Sequence, residues 1–130
     1  MNFTQHRCTQ EQLDAGVIDC PEQYREKLCK LLTFDEIPDR ELVWQRAVEI
    51  VQLFETVAVD LGFEYKSEAD SLHPMIGGAP FLMSHLENAF YDASLKVHYA
   101  FSKRESVKEF QEDGGIKKVA IFRHIGLYEA

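Results

Sequence analysis

The sequence predicts an α/β fold: a Rossmann-like, mostly parallel sheet with helices on both faces and a C-terminal β-hairpin. Three observations predict it. Short apolar runs alternate along the chain with segments of helical period, the pattern of strands joined by crossover helices. The apolar run at Met75 and Ile76 passes straight into Gly77, Gly78, Ala79 and Pro80 and then a helix-like stretch, which reads as a strand-to-helix turn. Near the end, "EDGG" separates two strand-like runs, a hairpin signal. A chain of 130 residues suffices for one domain with a core and is too short for two, so residues 1–130 are read as a single domain.

The elements follow in order. "MNFTQH" reads as a first strand. Thr9 stands three residues before Gln12, the spacing of a capping box, and opens a short helix reaching Ala15 and Gly16. "GVID" is a second strand. Pro21 suits the first position of a helix whose apolar face is Tyr24, Leu28, Leu31 and Leu32. After the loop "TFDEIPD", Asp39 is placed to cap a long helix. Its stripe runs from Val43 through Ala47, Ile50, Phe54 and Val57 to Leu61, and Gly62 ends it. Trp44 lies off that stripe, suited to an interface edge or a neighbouring loop. The polar stretch 63–73 reads as a loop. After the glycine turn, Leu82, Leu86, Ala89 and Phe90 share a helix face; "LKVHYAFS" is a strand, and the hairpin closes the chain.

Composition excludes several classes. No apolar run approaches the ~18 residues of a membrane span, and the N-terminus lacks the shape of a signal peptide, so a cytoplasmic location and no membrane partner are expected. Cys8, Cys20 and Cys29 are odd in number with no CxxC spacing, against a disulfide framework or zinc module. The five histidines show no HxxxH or HExxH spacing, so no metal site and no cofactor are expected. The net charge of −8 opposes binding to long nucleic acid. That charge is uneven: residues 96–124 hold seven Lys/Arg and four Asp/Glu, a balance of +3, which leaves −11 for the rest. A locally basic C-terminal third suits a small anion better than a polymer.

Three stretches are candidates for chemistry. Glycine lets a backbone turn tightly and lets a ligand approach its amides, and the helix start at Pro80 presents unpaired N–H groups, so the amides of Gly77, Gly78 and Ala79 form a phosphate cradle or else only a tight turn. The turn is neither GxGxxG nor GxxxxGK[ST], which disfavours ordinary dinucleotides and nucleoside triphosphates. Ser102, Lys103 and Arg104 are expected where their strand leaves the sheet, on the same edge as the glycines, as a phosphate grip or a charged turn. Thr4, Gln5, His6, Thr9 and Gln12 line the exit of the first strand; His6 suits proton transfer, a ligand contact or a structural role.

Taken together, "FTQHRCTQEQ", "MIGGAPFLM" and "YAFSKRESVKEFQEDGGIKKVAIFRHIGL" resemble the small stand-alone CRISPR-associated Rossmann-fold (CARF) proteins, some of which are ring nucleases. The likeness covers roughly the first ten residues and the last sixty by shape, and the order of the motifs carries it. "IGGAP" and "SKRES" depart from the family pattern, which bears on catalysis more than on binding. The resemblance implies a homodimer that holds a cyclic oligoadenylate, notably cyclic tetra-adenylate, across its two-fold axis. It implies a metal-independent reaction in which a ribose 2′-hydroxyl attacks its own phosphodiester. Lys103 and Arg104 would then neutralise developing charge, His6, Thr9 and Gln12 would hold ribose or base, and Thr4, Gln5 and Ser102 would add contacts. The same turns also suit a non-catalytic nucleotide sensor. A small interaction protein, relying on the long helix and Trp44, needs none of them.

Overall fold

The computed structural model describes residues 1–63 and 72–130; most of the polar 63–73 stretch read as a loop therefore lies outside the described residues. The elements are helices α1 (Gln10–Asp14), α2 (Glu22–Leu32) and α3 (Arg40–Asp60), strand β1 (Met75–Ile76), helix α4 (Pro80–Asp92), and strands β2 (His98–Phe110) and β3 (Ile116–Glu129). The sheet is mixed, in the order β1-β2-β3: β1 runs parallel to β2, and β2 antiparallel to β3.

The expected first and second strands shrink to single bridges. Asn2 bridges Asp19 on one side and Met75 on the other, both parallel. The Asn2 amide donates to Ile18 O and the Phe3 amide to Met75 O. The backbone therefore runs side by side in the order 17–19, 1–3, 75–76, 98–99, although only the last two segments are strands. Residues 4–6 turn out of the sheet because Asn2 ties them down through Thr4 and His6 O.

The helices follow from local sequence. Thr9 and Gln12 close the reciprocal capping box of α1. Pro21 sits one position earlier than expected, as the N-cap of α2, where its missing N–H costs no helical bond. Asp39 accepts from the Leu42 amide at 2.8 Å and starts α3. Pro80 occupies the first turn of α4, whose N-cap Ala79 offers no side-chain acceptor.

The core lies where α2, α3 and α4 pack on one another and on the sheet. Phe3, Phe54 and Phe90 are fully buried and meet edge to face, with centroids 5.1 Å (Phe3–Phe54) and 5.3 Å (Phe54–Phe90) apart. Leu28, Ile50, Ile76, Leu82 and Leu86 fill the space around them. Met75 and Ile76 point to opposite faces and both are buried, so the sheet is covered on both sides at β1.

The largest departure from expectation is at the C-terminal end. "LKVHYAFS" and "ESVKEF" were expected as separate strands joined by a turn at Ser102, Lys103 and Arg104. They form one strand, β2, which pairs with β3 from His98↔Glu129 to Phe110↔Ile116. A bulge at Phe101/Ser102 bends the pair, and beyond it the two strands form a ribbon. The expected hairpin turn is present: Gly114 takes φ +84°, and Asp113 Oδ1 accepts from the Gly115 amide at 2.8 Å. No described helix is long and apolar enough to cross a membrane.

Candidate functional site

A cleft of about 360 Å³ opens where residues 4–7, the β1–α4 turn and the start of β2 come together. Thr4, Gln5, His6, Thr9, Gln12, Gly77 and Gly78 all line it, with Arg7, Tyr99 and Ala100. It lies at the carboxyl ends of two neighbouring parallel segments, 1–3 and 75–76. From segment 1–3 the chain goes to 17–19 on one side and later to 75–76 on the other. Connections that leave in opposite directions open a crevice between the strand ends.

Asn2 does not line the cleft but holds its residue 4–6 wall in place, and nothing in the sequence pattern singled it out. It is 1% exposed. Its Nδ2 donates to His6 O at 2.6 Å and to Asp19 Oδ1 at 3.0 Å, while its Oδ1 accepts from the Thr4 amide at 3.0 Å and Thr4 Oγ1 at 2.7 Å. These bonds fold residues 4–6 back over the strand end and leave the His6 side chain exposed at the cleft. Burial alone would raise the Asp19 pKa. Bonds from the Cys8 amide, the Cys8 thiol and Asn2 outweigh it and hold the carboxyl below its ordinary value. Burial, with the Asp19 carboxylate nearby, pushes the Cys8 thiol up to about 11, away from the thiolate form.

Arg25 is a second residue without a sequence signal. It is buried, and its Nη2 donates to Gln5 O at 3.0 Å, fixing the backbone of the cleft wall from α2. Several expected side chains spend their polar atoms on structure. Thr9 Oγ1 accepts from the Gln12 amide at 3.2 Å and Gln12 Oε1 from the Thr9 amide at 3.0 Å. Gln5 Nε2 donates to Thr33 Oγ1 at 3.0 Å, and Arg7 forms a two-pronged pair with Glu22. Tyr99 donates its hydroxyl proton to Glu87 Oε1 at 2.6 Å; burial first, then this bond, raises its pKa well above the usual phenol value.

The two glycines differ. Gly78 has φ +144°, a conformation that side chains rarely adopt. Gly77 takes an ordinary conformation, and a Cβ there would meet Thr4 Cγ2 at 3.6 Å, normal contact. The turn therefore needs one glycine, and the other only thins the wall of the cleft.

Ser102, Lys103 and Arg104 are corrected in place. They do not mark a strand end, and they are absent from the cleft wall. Because β2 continues through them, Lys103 stands opposite Arg123 and Arg104 opposite Phe122, about 13 Å and 17 Å up the ribbon from Tyr99 at ~3.3 Å per residue. Lys103 shares the Tyr99 face, and Arg104 shares the other face with Ser102. Ala79 flanks the cleft as the α4 N-cap without lining it. Trp44 lies on a different surface, 60% exposed in a groove between α3 and α4. Among the described residues no group of three or more His, Cys, Asp or Glu side chains could hold a metal ion, and all three cysteines are free.

The model of the Uncharacterized protein MJ1673 family matches residues 1–128. The chain belongs to that family. The match spans both the cleft and the ribbon, so both lie within the family's domain. Comparison with curated proteins and with solved structures gives no match.

Proposed function

We propose that this protein is a CARF-like, Rossmann-type nucleotide-binding domain that holds a cyclic oligoadenylate, cyclic tetra-adenylate in particular, between the two copies of a homodimer. The supporting observation is the cleft itself: the glycine turn, the uncapped start of α4 and the residue 4–6 turn converge at the carboxyl ends of adjacent parallel segments. Its volume of about 360 Å³ is at the low end of the ~300–1,000 Å³ typical of small-ligand sites. One copy accommodates a single nucleotide unit, and a two-fold ring needs a two-fold pair of clefts.

In the catalytic form of this reading, the amides of Gly77, Gly78 and Ala79 bind a phosphate and hold it in line with the neighbouring 2′-hydroxyl. His6 takes the proton of that hydroxyl. The 2′-oxygen bonds to phosphorus, the bond to the 5′-oxygen breaks, and the 5′-oxygen takes up a proton from solvent water, giving a linear product with a 2′,3′-cyclic phosphate and a 5′-hydroxyl. Lys103, on the Tyr99 face, meets the part of the ring that overhangs the cleft, and Arg104 does not. A second reading, a non-catalytic sensor, is favoured by a separate observation: Thr9, Gln12, Gln5 and Arg7 are engaged in structural bonds, which leaves few groups free to stabilise a transition state.

The test is incubation with cyclic tetra-adenylate in the presence of a chelator, followed by chromatography of the nucleotide and a melting curve of the protein. Linear product that disappears in His6→Ala and falls in Lys103→Ala supports the nuclease. Intact ligand with a raised melting temperature supports the sensor. No product and no shift refutes the ligand.

A further inference from the structure

Beyond the bulge, the β2–β3 ribbon carries two chemically different faces. On one, the half-buried Val107, Val119 and Ile121 lie with the paired Glu105 and Arg123 (3.1 Å) and the opposed Glu109 and Lys117. On the other, Arg104, Lys108 and Lys118 alternate with exposed Phe110, Ile116 and Phe122, and no acidic residue stands among them. Lys108 is directly opposite Lys118, a like-charge pair that destabilises a free ribbon. A two-stranded ribbon is itself marginal in water. This face therefore suits an acidic, apolar partner.

The body supplies such a surface. A groove runs along α3 and α4 as two pockets of about 710 and 500 Å³ that share His85. Phe34, Phe81 and Trp44 give it apolar lining, and Ile37 stands 98% exposed beside it. Acids predominate around it: Asp35, Glu36 and Asp39 stand at one end with Arg40 among them and Arg46 over the Phe34 ring, and Glu55 and Asp92 stand at the other. The charge of the whole chain divides the same way, +3 over residues 96–124 and −11 elsewhere.

We propose that the Arg104/Lys108/Lys118 face of the ribbon docks in the α3–α4 groove of a second copy of this chain, and that the second copy returns the contact. Reciprocal docking closes a two-fold dimer and leaves no free ribbon. Ribbon against ribbon is disfavoured because it sets three cations against the same three. Strand addition along the ribbon edges is resisted by their charged residues. The interface rests on the proposed function only for the existence of a dimer; its location is independent of any ligand.

The test is sedimentation velocity of the full chain over a concentration series. The wild type is expected to dimerise and to weaken as salt rises. Lys108→Glu with Lys118→Glu, and separately Asp35→Lys with Glu36→Lys, are each expected to weaken the dimer about 100-fold. All four positions are exposed, so both variants are expected to melt like the wild type. Mixing the two variants makes both ribbon–groove contacts complementary, one with the wild-type charges and one with the charges reversed, and is expected to give a mixed dimer. A monomeric wild type overturns the proposal, as does a dimer that neither pair weakens, or variants that do not associate when mixed. A wild type that binds single-stranded RNA through Lys108 and Lys118 without dimerising overturns it in favour of nucleic acid. None of these changes touches the cleft, so a wild type that dimerises through these residues but does not bind cyclic tetra-adenylate overturns the proposed ligand and leaves the interface standing.

Discussion

Asn2→Ala is expected to unfasten the cleft at a cost measurable in the whole fold. The residue is 1% exposed and its amide serves four partners: His6 O, Asp19 Oδ1, the Thr4 amide and Thr4 Oγ1. Alanine removes all four bonds and leaves part-buried groups with fewer partners. A neutral hydrogen bond is worth about 0.5–1.5 kcal/mol net, and one to a charged group about 1.5–3. Relaxation at the exposed His6 end recovers some of the sum, so a loss of about 2–4 kcal/mol is expected. Asp19 adds a pH signature. Its native pKa lies below the ordinary 3.8 of an aspartate, partly because of Asn2, so its stabilisation is present above that value and is lost as pH falls through the native pKa. Without Asn2 the native pKa moves up, and the gap between wild type and variant narrows in acid. Urea unfolding at neutral pH and near pH 3 measures both effects, with an unchanged slope confirming that the midpoint reports stability. A loss below about 1 kcal/mol, or a gap that widens in acid, refutes the argument that Asn2 holds the 4–6 turn.

Three further outcomes follow from the geometry. Gly78→Ala, at φ +144°, is expected to cost about 1–3 kcal/mol, whereas Gly77→Ala stays within about 0.5 kcal/mol; equal melting shifts for the two would refute the distinction. Phe54→Ala, which removes both edge-to-face contacts, is expected to cost about 3–5 kcal/mol in urea unfolding, and a loss under about 1.5 would mean that the site collapses around the gap. Burial pushes the Met1 amino group from 8.0 to about 6, with the ammonium donating to His73 O at 2.7 Å. Between those values the unfolded chain binds more protons, so stability rises from pH 6 to pH 8 by about 2–3 kcal/mol. Urea midpoints across that range are expected to show the rise, and N-terminally acetylated protein is expected to lack it.

The local signals were legible in the sequence because they act over a few residues. Thr9 and Gln12 sit three apart and can reach only each other's backbone, so the capping box follows from spacing. The stripe of α3, the Asp39 cap, the Pro80 helix start and the Gly114 turn are of the same kind. The strand-to-helix turn at Gly77 and Gly78 was also readable, but the sequence paired it with Ser102, Lys103 and Arg104, whereas residues 4–12 are what meet it in the cleft. What tertiary structure alone decided is how side chains and strands are used once distant segments meet. Asn2 reads as an ordinary polar residue in a short strand, and only its closeness to Asp19 and to the 4–6 turn makes it a tie. Arg25 gains its place on Gln5 O only when α2 packs there. Ser102, Lys103 and Arg104 look like a turn because they are polar and charged, yet pairing with residues twenty positions onward holds them extended. A strand's length is set by the partner that satisfies its backbone, and that partner is not visible in the strand's own residues.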